Sequence, residues 1–115
     1  MAEDAWVKEF PGTVVVSDTA GTIVNMNDAA AKWFADKGGR ELIGKSLFEV
    51  HKEASQEKIR AMIASKATNV YTIERECVRY LIFQSPWYRD GTLAGLVEFV
   101  LQVPEEIPHH ARPSE

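Results

Sequence analysis

The sequence predicts an α+β domain: one five-stranded antiparallel sheet with short helices covering one face. Three observations carry that expectation. Two short extended runs flank a turn between Thr13 and Met26, helix formers fill the middle of the chain, and from Asn69 to Val103 the apolar period becomes two. Strands grouped on either side of a helical insert favour one sheet with its helices segregated to a face.

The first group is the densest signal. Thr13–Ser17 is β-branched and apolar, Asp18-Thr19-Ala20-Gly21 interrupts it, and Thr22–Met26 resumes an extended pattern. An Asp side chain accepts backbone N–H groups a few residues on, and Gly tolerates the positive φ such turns need. Asn27 or Asp28 then caps the Ala-rich segment behind it. Upstream, Asp4 begins a short helical stretch with Trp6, Val7 and Phe10, which Pro11-Gly12 ends.

The insert reads as three helical pieces. Asp28–Lys37 carries Ala30, Trp33 and Phe34 on an apolar patch, and Gly38-Gly39 stops it. Arg40–Leu47 is too short for a normal helix and reads as one turn and a bend, anchored by Leu42, Ile43 and Leu47. Glu53–Lys66 is rich in helix formers, with Ile59, Met62 and Ile63 on one face. Early acidic residues and a late Lys66 suit the helix dipole.

Val70–Glu76, Val78–Tyr88 and Leu93–Val103 complete the sheet, the last two joined at Asp90-Gly91. Leu93, Gly95, Val97, Phe99, Leu101 and Val103 share a face, as do Leu81, Phe83 and Ser85. Residues 1–12 are thus a flanking cap, 13–103 the domain, and 104–115 an extended or disordered tail rich in proline.

Composition narrows the function classes. The chain has 115 residues, enough for one core, and 45% of them are hydrophobic, which excludes a disordered chain. A net charge of −4 without a Lys/Arg run argues against nucleic acid or an anionic membrane as partner. A single Cys excludes an internal disulfide, and no long apolar stretch is present, so the cytoplasm is the expected compartment.

The segments Val14–Ala30 and Glu41-Leu42-Ile43-Gly44-Lys45-Ser46, with the hairpin from Trp87 to Val100, together resemble a PAS domain in order and spacing. The likeness spans Thr13 to Val103. It implies a sensory or interaction module whose sheet and helices enclose a pocket, with dimerisation through a helix flanking the sheet. Carried over by strand register, the pocket-facing residues are expected to be Met26, Ile73, Leu81, Phe83, Val97 and Phe99, joined by Met62 and Ile63 from the third helix. This set is apolar, which suits a small hydrophobic ligand, a planar cofactor, or a core filled by side chains. No effector sequence accompanies the core, so action through partners or through the chain's own dimer is expected.

Haem-type PAS sensors use a His in this part of the fold, so His51 is either a haem ligand or a residue orienting the start of the third helix. The flavin-binding motif of the light-sensing members is missing, and Cys77 falls in the strand region instead, so flavin–cysteinyl chemistry is not expected. Asp18 and Asn27 are explained by turn and cap duties, and Glu74, Glu76 and Glu98 fall at solvent-type strand positions. His109-His110 lies in the tail and suits adventitious metal. No paired acid–base set or phosphate loop is present, so a small enzyme is the least favoured class. Trp6 and Phe10 are the expected homodimer contact, while a separate signalling protein is the other partner class.

Overall fold

In the computed structural model, which describes residues 5–47 and 53–114, the strands are β1 (Thr13–Asp18), β2 (Ile23–Met26), β3 (Asn69–Arg75), β4 (Val78–Arg89) and β5 (Thr92–Val103). The helices are α1 (Ala5–Lys8), α2 (Asp28–Trp33) and α3 (Glu53–Ser65). One antiparallel sheet results, in the order β2-β1-β5-β4-β3, so the first hairpin joins the last strand and β2 and β3 are the edges. The five expected strands are all present, and α2 and α3 lie on one face.

Local chemistry explains the first hairpin and the helix behind it. Asp18 Oδ1 accepts the N–H groups of Ala20 and Thr22, at 3.0 and 2.9 Å, and Gly21 takes φ 85° behind it. Asn27 caps α2 by accepting from Ala30 N–H at 3.0 Å. It also does more than cap. The same Oδ1 accepts from Val14 N–H at 3.0 Å, and its Nδ2 donates to the carbonyls of Val7, Phe10 and Gly12 at 3.1, 3.3 and 2.8 Å. One fully buried side chain thereby ties the N-terminal segment, β1 and α2 together.

The first helix of the insert is shorter than its sequence suggests. α2 stops at Trp33, and Ala35–Lys37 and Gly39–Leu42 are separate 3₁₀ turns. Phe34 leaves helical geometry at φ −103°, ψ 21°, and Gly38 then adopts φ 117°, a left-handed position open to glycine. The tight turns bring Leu42 to 2% exposure against Val15, Ile23, Met26 and Ala30.

Register decides which face the helices cover. Val15 pairs with Glu98, Glu98 with Gln84, and Gln84 with Asn69, so these four residues form a row across β1, β5, β4 and β3. Because paired residues share a face, Val15, Ser17, Leu96, Glu98, Ile82 and Gln84 stand under the helices. Val97, Phe99, Leu101, Leu81 and Phe83 belong to the opposite register and point away from them. A second core cluster, Ile59, Met62 and Leu96, holds α3 down on the sheet, with Leu47 and Ile63 partly buried beside it.

The outer face has its own lock. Trp87 Nε1 donates to the Ser17 carbonyl at 2.9 Å, reaching across β5 at Gly95, which pairs with both Trp87 and Asp18. A Cβ at Gly95 would lie 1.8 Å from the Ser17 carbonyl oxygen, so only glycine permits this approach.

Candidate functional site

Between the helices and the covered face of the sheet lies a cavity of about 40 Å³. Val15, Ile23, Met26, Leu42 and Leu96 form most of its apolar wall, with Phe34, Leu47, Ile59 and Met62 closing the helix side. Ser17, Gln84 and Glu98 are its polar members. Space for a single water needs about 10–15 Å³ by this measure, and a dry cavity of about 150 Å³ admits benzene. The cavity therefore takes a few heavy atoms as it stands. Its two methionines, unbranched and able to change rotamer, are the side chains best able to enlarge it.

The polar wall is a connected row. Asn69 Nδ2 donates to Gln84 Oε1 at 3.0 Å, and Gln84 Nε2 donates to Glu98 Oε1 at 2.6 Å. Burial pushes the Glu98 carboxyl above its ordinary value, and the bond from Gln84 partly offsets that rise. Tyr71 is raised as well, by burial first and by the Glu98 charge second. Among the described residues no buried side-chain nitrogen or oxygen lacks a partner.

The expected pocket residues divide by register. Met26, Met62 and Val97 line the cavity, Val97 bordering it from within β5 between Leu96 and Glu98. Ile63 packs on the Ile59–Met62–Leu96 cluster behind the wall. Ile73 shares the covered face but pairs with Tyr80 at the far end of the sheet, where Trp33 stacks on Tyr80 at 4.8 Å between ring centroids. Leu81, Phe83 and Phe99 require correction. Their register places them on the outer face, and Phe83 is 37% exposed. Strand alternation identifies which residues share a face but not which face is covered, and here both faces are apolar.

Glu98 and Gln84 are the members that sequence reasoning misses, Glu98 being expected at a solvent-type position. The available signal is their place in otherwise apolar strands, LVEFV and LIFQS, on the same face as Leu96 and Ile82. His51 lies outside the described residues. Cys77 stands exposed in the β3–β4 turn, where it and Glu76 take φ 65° and 53°. A macrocycle of haem's size does not fit the cavity without rebuilding its walls, and no group of three or more metal-ligating side chains gathers among the described residues. Trp6 is 63% exposed and packs edge-on against Phe10, with ring centroids 6.1 Å apart. Among the described residues no helix is long and apolar enough to cross a membrane.

A single sheet ordered 2-1-5-4-3, a short helical layer and a cavity between them define a small α+β scaffold with one covered sheet face. A PAS domain family model matches residues 11–81, and the chain belongs to that family. Solved structures agree on the fold. The Aer2 receptor of Vibrio cholerae, described as a dual PAS-haem oxygen sensor, superposes with a TM-score of 0.60 at 13% identity, covering 81% of this chain and 95% of that one. VqmA of Vibrio cholerae, described as a dimer, gives 0.69 at 17% identity over 91% of this chain and 53% of its own, so this chain spans about half of VqmA. The PAS domain of Bordetella pertussis BvgS gives 0.62 at 14% identity, covering 90% and 85%. No curated protein matches by sequence.

Proposed function

We propose that this chain is a non-enzymatic, cytoplasmic PAS sensory module. Its cavity binds a small, mainly apolar ligand, and its state is passed on through a homodimer or a separate signalling protein. The observation that carries this reading is the apolar cavity between sheet and helices, with a single polar wall supplied by the central strands. Fold neighbours give it context: VqmA has been solved bound to DPO, and Aer2 is described as a haem sensor. The mechanism is a population shift. A ligand that enlarges the space between α3 and β5 favours one packing of Met26, Met62 and Leu47 over another, and the flanking surfaces read the difference.

The homodimer contact is assigned to the Trp6–Phe10 segment. Trp6 is the most exposed large apolar side chain among the described residues, and Phe10 and the outer-face Leu101 meet over Gly12, making the segment continuous with the outer face. VqmA, which shares the fold, is described as a dimer. Replacing Trp6 with Asp is expected to raise the monomer fraction in sedimentation; an unchanged dimer removes this assignment.

A second reading is a PAS interaction domain with a filled core and no ligand, and the small cavity volume favours it. Native mass spectrometry with an absorption scan of protein purified without added cofactor separates the two. Extra mass or a visible band is the result expected of a sensor. A clean polypeptide mass, unchanged after incubation with a cell metabolite extract, supports the filled core.

A further inference from the structure

The polar row that crosses the sheet has a direction. Asn69 gives its amide N–H to Gln84 Oε1, which occupies the carbonyl end of Gln84 and turns Nε2 toward Glu98. Donors therefore run from β3 through β4 to β5, and the row ends in an acceptor, the carboxyl of Glu98, at the wall of an apolar cavity. Oε1 takes the bond from Gln84; Oε2 has no hydrogen-bond partner among the described residues and keeps some contact with solvent, since no fully buried side-chain oxygen there lacks a partner. No Lys, Arg or His is among the described residues that line the cavity.

We propose that the cavity selects a small apolar molecule bearing a nitrogen donor, best a protonated amine, and that Glu98 is the group that receives it. The inference rests on the ligand-sensor reading and adds the ligand's chemical class. A carboxylate set in apolar walls loses much of its water and regains little from one neutral amide. An N⁺–H donor supplies both the missing hydrogen bond and the countercharge, and charge-assisted bonds of this kind are the strong ones. A carboxylate ligand meets repulsion at the same place. A hydroxyl donates too, but without the charge. The raised affinity of Glu98 for its proton, caused by burial, agrees with a group that wants a cation beside it. The about 40 Å³ available limits the first occupant to a few heavy atoms, with larger bodies requiring Met26 or Met62 to move.

The test uses three matched probes on the full chain: isobutylammonium chloride, isobutanol and isovalerate. Binding is read from backbone amide shifts of Ile23, Leu96 and Glu98 in ¹H–¹⁵N spectra, with wild type and Glu98→Gln compared. The expected result is that isobutylammonium binds wild type about tenfold or more tighter than isobutanol, that isovalerate is weakest, and that the preference disappears in Glu98→Gln. Equal binding of amine and alcohol by wild type overturns the selectivity and leaves the ligand-sensor reading standing. An amine preference retained by Glu98→Gln overturns the assignment to Glu98. Cavity amides unmoved by all three probes overturn the inference together with the reading beneath it. The wild-type comparison decides the donor class even if the variant does not fold.

Discussion

The face of the sheet under the helices and the face that points away carry similar side chains in different surroundings. Val15, Ile82, Leu96 and Val100 on the covered face are at most 6% exposed. On the other face Val70 and Phe83 are 49% and 37% exposed, while Val97, Phe99 and Leu101 are partly buried. The difference in polar content runs the opposite way to intuition. In the middle of the sheet the buried face holds the polar pair Gln84 and Glu98, while the open face presents valine, leucine and phenylalanine there and carries its charges, Glu74 and Arg79, at one end. A buried polar row is retained where it specifies something, and an open apolar face where something covers it. The proposed small-molecule site thus lies on the covered side, and the proposed protein contact on the open side, beside the Trp6–Phe10 segment.

The largest expected loss comes from the joint that holds the helical layer to the sheet. Asn27→Ala removes both acceptor bonds, to Val14 and Ala30, and leaves the carbonyls of Val7, Phe10 and Gly12 without their shared donor. We expect a loss of about 3 kcal/mol in chemical denaturation, since several buried partners are orphaned at once. A loss below about 1 kcal/mol shows that the N-terminal segment is not held by this residue.

A matched pair then sets the two faces against each other. Ile23→Ala, at a side chain 2% exposed in the main core cluster, is expected to cost about 3 kcal/mol. Phe83→Ala, on the open face, is expected to cost under about 1 kcal/mol when measured on dilute monomer, because much of its ring is already in water. Equal losses at low concentration erase the distinction between the faces. A Phe83 loss that grows with protein concentration sharpens it, because it marks a face covered by a second copy.

The same contrast explains what is legible in the sequence. The Asp18–Gly21 turn, the Asn27 cap and the period-two runs specify local conformation through chemistry within a few residues, and every strand is readable from them. Which apolar set faces inward is decided by register against a helical layer tens of residues away; alternation leaves that open, and the strand register carried over from the resemblance puts Leu81, Phe83 and Phe99 on the wrong side. The early end of α2 at Trp33 has a weak local cause, since Lys37 and the glycine pair beyond it mark a later stop equally well. Glu98 is hidden because alternation treats a carboxylate in a strand as solvent-facing, and its Gln84 and Asn69 partners come from two other strands.

The smallest expected effect is on Glu98, and it shows whether the covered face is charged at rest. In the unfolded chain this carboxyl titrates near its ordinary value of 4.5; in the folded chain burial raises it. Above the folded value both states are ionised, and the native state alone carries the cost of a charge in an apolar wall. As pH falls through the folded value the native state takes up a proton first, so stability rises, and the rise is complete below the unfolded value. Glu98→Gln keeps an acceptor for Gln84 Nε2 and removes the charge. The variant is therefore expected to be modestly more stable than wild type at neutral pH, with the difference shrinking toward zero as pH approaches 4.5. Denaturation midpoints of both proteins across this range measure it. A difference that does not change with pH means that Glu98 carries the same charge in both states at little cost. The covered face would then be wetter than its walls imply, and the contrast between the two faces would rest on packing alone.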